Sequence, residues 1–286
     1  MLLLRVYTAI LLAAFALSAQ TSQYERARVQ YEKTQYTSAL QILKSKPSLD
    51  AADYNLMGRI QYMLGDYNAA TDCFEKATKL APKSSDHWHW LGRTFGRRAE
   101  VSSFITAPGY ASKARQNFEK AVELDPKNSE AVNDLFEYYL QAPGFLGGGL
   151  DKAQALLSKI EAIDPAEKHY AMARLAEERK DFKTAEQQLR RAMETAPRQV
   201  GRILDLAKFL AKQGRTQESE KVFEQARSVS PDSPQYLWER ANLLIEQKRD
   251  LKEARRLLEK YLASQVPPDA DNKAEARKLL AKLPAA

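Results

Sequence analysis

The sequence predicts an all-α protein, an α-solenoid of stacked antiparallel helix pairs. Two observations carry this. A pattern recurs in which a small residue is followed by an aromatic or Leu four positions on, an apolar or small residue three further, and a closing proline. It reads Ala70, Phe74, Ala77, Pro82, then Ala114, Phe118, Ala121, Pro126, then Ala153, Leu157, Ile160, Pro165. It continues as Ala185, Leu189, Ala192, Pro197 and as Ser219, Phe223, Ala226, Pro231. Steps of four and three keep these side chains on one helical face, and the proline cannot continue the helix. The second observation is a small residue in the middle of another helical pattern (Gly58, Gly92, Ala173, Ala207, Ala241), where a close helix neighbour can be seated. Self-similarity of this kind is the signature of repeat architectures.

The elements follow in order. Residues 1–19 read as a signal peptide: Arg5 precedes a charge-free apolar run from Val6 to Leu17, closed by the small residues Ser18 and Ala19. Export and cleavage place the mature chain in the periplasm or outside the cell. The alternative is an uncleaved N-terminal anchor in the inner membrane, although about a dozen apolar residues fall short of the ~20 that span hydrocarbon. Residues 20–266 hold about seven repeat units. The first (Ala27, Tyr31, Tyr36, Ala39, Leu43) is closed early by Pro47, and the last (Trp238, Ala241, Ala254, Leu258) carries Tyr261 where a small residue is expected. Two units are padded between their helices. Residues 267–286 form a linker, broken by Pro267 and Pro268, and a capping helix that presents Ala276, Leu279, Leu280 and Leu283. A helical pair cannot bury its own apolar face, so stacked units share a core and the end units need a cap.

These motifs resemble tetratricopeptide repeats of the exported bacterial type and cover most of residues 23–265. The resemblance implies a right-handed superhelix with a concave groove lined by the first helix of each unit. On that helix, the positions three before and one after the small residue share a face. The groove residues are then Asn55 with Arg59, His89 with Arg93, Asn133 with Glu137, Tyr170 with Arg174, Leu204 with Lys208 and Trp238 with Asn242, joined by Tyr62. Arginine and amide side chains on such a face suit an extended peptide, because guanidinium forks pair with carboxylates and amides bond peptide groups. Charge on a helix face can equally be plain solvation. Some members of the family clamp a terminal carboxylate with Lys and Asn; Glu130 and Glu137 oppose that ligand here.

A second candidate surface lies in the padded units. Ala107-Pro108-Gly109-Tyr110 and Ala142-Pro143-Gly144-Phe145 read as inter-helix loops, so Tyr110, Phe145 and Leu146 beside Arg97 and Arg98 form a candidate loop edge. The competing expectation is that these aromatics tuck back onto the helix ends. The glycines Gly147-Gly148-Gly149 lead into Leu150-Asp151 and lack the Lys and Ser or Thr of a phosphate-binding loop.

Chemistry is sparse. The only cysteine, Cys73, cannot close an intrachain disulfide, and it adjoins the packing residue Phe74. His87 and His89 point about 200° apart on a helix and cannot share a metal. His169 sits where a packing aromatic is expected. No carboxylate pair stands out for acid–base work. The net charge of +7 permits nucleic-acid binding, but the leader and the absence of a dense basic cluster argue against it. The sequence therefore points to a non-enzymatic interaction scaffold or adaptor of the bacterial cell envelope, without cofactor or metal, holding a protein or peptide partner. The alternative is a binding or assembly factor for an anionic envelope polymer. Reversing Arg59 and Arg93 to Glu is expected to abolish capture without loss of stability.

Overall fold

The computed structural model describes residues 23–268 and 272–284. The signal-peptide segment lies outside the described residues. Every regular element described is helical, and the chain divides into two compact units, Met1–Ala131 and Val132–Ala286.

The first unit pairs α1 (residues 23–32) with α2 (Tyr36–Lys44), α3 (Ala51–Met63) with α4 (Tyr67–Leu80), and α5 (Ser85–Val101) with α6 (Ala107–Leu124). The division falls within α7 (Ser129–Gln141). In the second unit α7 is followed by a second helix broken at Leu156 into α8 (Leu150–Ala155) and α9 (Leu157–Ile163). Next come α10 (Pro165–Glu178) with α11 (Phe182–Thr195), α12 (Val200–Lys212) with α13 (Thr216–Val229), α14 (Pro234–Glu246) with α15 (Leu251–Ala263), and the terminal α16 (Lys273–Lys282).

Backbone chemistry sets the boundaries. Asp50 caps α3 in a reciprocal box with Asp53, and Asp66, Ser84, Asp164, Asp181 and Ser233 each accept from an orphan N–H of the helix that follows. The tight turns within pairs share one device. Thr34, Gly65, Lys180, Gly214 and Lys248 take left-handed φ of 51° to 81°, and the next residue donates to a carbonyl five back, as from Asp66 to Gln61 at 3.0 Å. This closure satisfies carbonyls at a helix end. Gly65 and Gly214 adopt it freely; the other three carry a side chain through it.

Packing follows the small residues. A Cβ built on Gly58 would lie 2.7 Å from the ring of Phe74, and one on Gly92 would lie 2.6 Å from Phe118, so α3 on α4 and α5 on α6 approach closely because those positions are glycine. Ala173, Ala185, Leu189, Leu206 and Leu210 build the same arrangement in the second unit. Near the end, Ala241, Leu257, Leu258, Tyr261 and Ala276 belong to one core. There α16 closes the apolar face of α15. Arg255 holds it by donating to the carbonyls of Leu280 at 3.2 Å, Leu283 at 2.9 Å and Pro284 at 2.8 Å.

The two padded connections differ from expectation. Ala107-Pro108-Gly109-Tyr110 is the first turn of α6, not a loop. Proline there forfeits no helical hydrogen bond and arrives with a helical φ. The second connection is a short 3₁₀ turn, Gly144–Leu146, folded against α7. Tyr138 Oη donates to Leu146 O at 2.9 Å, and Gly149 N to Tyr139 O at 2.8 Å.

Candidate functional site

In the first unit the face of α3 and α5 is an arginine–aromatic layer. Arg59 donates to Asn55 Oδ1 at 3.0 Å and to Asp86 Oδ1 at 2.6 Å, and Asn55 Nδ2 donates to Asp86 Oδ2 at 3.1 Å. The Arg59 guanidinium also lies 4.6 Å over the ring of Trp90, and Arg93 lies 4.5 Å over the same ring. Tyr62 meets Trp90 edge-on at 5.5 Å, and Arg93 reaches the Tyr62 ring at 5.8 Å. Trp90 is fully buried beneath this cover. A guanidinium above a desolvated aromatic is attracted by the ring quadrupole, so both arginines are held in place before any ligand arrives.

Two sequence expectations change here. His89 is not a groove residue: it is fully buried among Trp90 and Phe118, with ring centroids 6.3 and 6.0 Å away. Asn55 is also buried and orients Arg59 and Asp86. Leu204, at the same position three before the small residue, is fully buried too, whereas Asn133, Tyr170 and Trp238 there are half-buried, as are the six residues one after it. A glutamate at position 59 would face Asp86 and uncover Trp90, so charge reversal there is expected to cost stability as well.

The second unit carries a different layer. Arg174 donates to Glu137 Oε1 at 2.7 Å and to Tyr170 Oη at 3.3 Å, and Arg202 lies 4.4 Å over the Tyr170 ring while facing Glu167 at 3.1 Å. Lys208 reaches Glu239 at 3.0 Å and Asp205 at 3.9 Å. The cations of the row are thus interleaved with carboxylates of the same and neighbouring first helices: Glu137, which the sequence placed in the row, and Glu167, Asp205 and Glu239, which it did not. Burial pushes the Glu137, Glu167 and Asp205 carboxyls above their usual range, against the pull of Arg174, Arg202 and Lys208. Trp238 packs 5.4 Å from Tyr261, and Asn242 donates to Trp238 O at 3.0 Å; Asn133 is half-buried on α7.

Two open cavities run along this layer. One of about 260 Å³ is lined by Tyr170, Arg174, Asp205, Lys208 and Lys212. The other, of about 410 Å³, is lined by Lys208, Lys212, Glu239, Asn242 and Leu243. They share Lys208 and Lys212, so the two lie side by side on the face of α10, α12 and α14.

At the loop edge, Tyr110 folds back: its ring stacks on Phe95 at 6.2 Å, and its hydroxyl accepts from Arg98 at 2.6 Å. Arg97 donates to Tyr67 Oη at 3.3 Å. Leu146 is half-buried, whereas Phe145 stands exposed. Cys73 is buried, which pushes its thiol up and away from nucleophilic reactivity. His169 Nδ1 lies 2.8 Å from Gln188 Oε1. Among the described residues no cluster of three His, Cys, Asp or Glu has the arrangement of a metal site.

Tetratricopeptide repeat family models match residues 51–84, which span α3 and α4, and residues 176–237, from the end of α10 into α14. The chain is a tetratricopeptide repeat protein. A thermophilic tetratricopeptide repeat protein from Thermus thermophilus is similar in structure, with a TM-score of 0.54 and 21% identity over 67% of this chain and 98% of that one. A tetratricopeptide repeat protein from Parabacteroides merdae is similar with a TM-score of 0.58 and 17% identity, over 91% and 97% of the two chains. At these identities the likeness speaks to the fold alone. No curated protein sequence matches the chain. Tetratricopeptide repeat proteins commonly mediate protein–protein interactions and are typically non-enzymatic.

Proposed function

We propose that this tetratricopeptide repeat protein is a non-enzymatic scaffold of the cell envelope, exported by its leader, that holds an extended peptide segment of a protein partner. The observation that carries the reading is the pair of adjacent cavities along α10, α12 and α14, both lined by Lys208 and Lys212. Its walls alternate cations (Arg174, Lys208, Lys212), carboxylates (Asp205, Glu239) and the amide of Asn242. Such a mixture suits a peptide backbone with side chains of both signs better than a uniformly anionic polymer.

Lys208 is 41% exposed, so its ion pairs contribute little to stability and the residue can be altered without unfolding the repeat. The test places a photo-crosslinking amino acid at Asn242 in the native cells, with Gln225 on α13 as the control. Protein adducts at 242 that vanish with Lys208→Ala, at unchanged melting temperature, are expected. Absence of protein adducts at 242, or equal adducts at both sites, overturns the reading; a charge-selective pulldown of envelope polymer in their place favours the polymer.

A further inference from the structure

We infer that the tip of the α5–α6 hairpin is a membrane-docking wedge that inserts into an anionic phospholipid surface. The inference is independent of the groove. Aligned on Gly58 and Gly92, α3 and α5 start seven residues earlier, yet α3 ends at Met63 and α5 runs on to Val101. Aligned on Ala70 and Ala114, α6 starts four residues sooner than α4. The hairpin is therefore longer by four residues on each arm, about 6 Å at the helical rise, and all of the excess is at the tip.

That tip is apolar and outward-facing. Phe104 is 87% exposed, Ile105 75% and Val101 65%. Three large apolar side chains within five residues, left in water at the end of the hairpin, are a cost that folding did not remove, although the nearby Tyr110 was tucked away. The polar groups of the same turn are spent on one another. Ser103 O accepts from Thr106 N at 3.0 Å and Ala107 N at 2.9 Å, and the Ser103 and Thr106 hydroxyls lie 3.2 Å apart. A segment that leaves water needs this kind of internal satisfaction.

Behind the tip lies a belt of cations and tyrosines. Arg98 sits 4.2 Å over the Tyr110 ring, Arg97 lies 5.6 Å from Tyr67, and Lys113 lies 5.2 Å over Phe95. Glu100, paired with Arg97, is the opposing charge on this stretch. Apolar side chains ahead of an aromatic and cationic girdle match the layering of a bilayer surface, with acyl chains inside and anionic headgroups around them. No described helix is long and apolar enough to cross a membrane, so the contact is one of surface insertion.

The test uses the full chain with Cys73→Ala and Ser103→Cys, the new thiol carrying a polarity-sensitive fluorophore, so that the readout reports the tip and not the leader. With vesicles of phosphatidylglycerol and phosphatidylcholine, the emission is expected to shift to the blue and to be quenched by bromolipids, more strongly than with phosphatidylcholine alone. Replacing Phe104 and Ile105 by Ser is expected to reduce the bromolipid quenching on the order of tenfold or more, at an unchanged melting temperature. A label that stays in water on anionic vesicles overturns the inference. So does quenching that survives the double substitution, or a shift produced only by lipid-free envelope protein, which would assign the tip to a protein pocket.

Discussion

Lys46 and Asp53 form a closed ion pair, with Nζ 2.5 Å from Oδ2 and side chains only 4% and 0% exposed. Asp53 is at the same time the third residue of α3, where its carboxylate accepts from the backbone N–H of Asp50 at 3.0 Å. The pair thus ties the segment closed by Pro47 to the start of the next repeat. Removing one partner leaves a buried charge uncompensated, so Lys46→Met is expected to destabilise the protein by about 3–5 kcal/mol. Replacing both partners, Lys46→Met with Asp53→Leu, should recover most of that loss apart from the cap. Chemical denaturation of the two variants measures the difference.

Glycines on the first helices of two successive pairs should respond with opposite signs. Gly58→Ala drives a methyl into the buried Phe74 ring and should cost about 1–3 kcal/mol. Gly96→Ala, within α5, meets nothing within 4 Å and should gain about 0.5–1 kcal/mol from the reduced freedom of the unfolded chain. Melting temperatures that move the same way for both would contradict the packing described.

Acidification should stabilise the protein in a defined interval. Burial raises the carboxyls of Asp205, Glu167 and Glu137, so above the ordinary carboxylate value of about 4 the folded chain binds protons that the unfolded chain has released. Stability therefore falls as pH rises through the raised values, and is recovered on the way down. Glu186 and Glu218, lowered chiefly by hydrogen bonds from Arg215, act in the opposite sense but sit near the surface and are screened, and His87, lowered by burial, opposes the gain at the upper end of the interval. Thermal midpoints followed from about pH 7 towards 4 should rise, and Asp205→Asn should flatten the profile.

Arg255 is the clasp of the terminal helix. With Arg255→Ala, the carbonyls of Leu280, Leu283 and Pro284 lose their donor, and hydrogen exchange should accelerate across residues 273–282 while α12 and α13 keep their protection. Acceleration spread evenly over the second unit would show that α16 is not a separable cap.

The helix pairs were legible because their causes are local. The four-and-three spacing of Ala70, Phe74 and Ala77 fixes a face, and Gly58 marks where that face is met. The candidate surfaces were less legible because they depend on helix rotation and on partners from other repeats. His89 and Arg93 are four apart on one helix, yet one is enclosed and the other is at the surface; only the neighbouring helix decides which. Asp86, Glu167, Asp205 and Glu239 stand at ordinary sequence positions, and their role appears only when adjacent first helices are brought side by side. Proline and glycine misled at Pro108 and Gly109, where turn chemistry is also helix-start chemistry. Phe104 and Ile105 escaped notice because apolar residues are expected to turn inward, and these two do not.

The ion pairs between successive first helices, Arg59 with Asp86 in one unit and Arg174 with Glu137 and Lys208 with Glu239 in the other, have one more consequence. Within each helix pair the core contacts are mainly apolar and little affected by salt, whereas part of what couples one pair to the next is electrostatic and screened by it. Ionic strength therefore acts on cooperativity before it acts on structure. In concentrated salt the coupling between neighbouring pairs is then expected to rest on the apolar core they share.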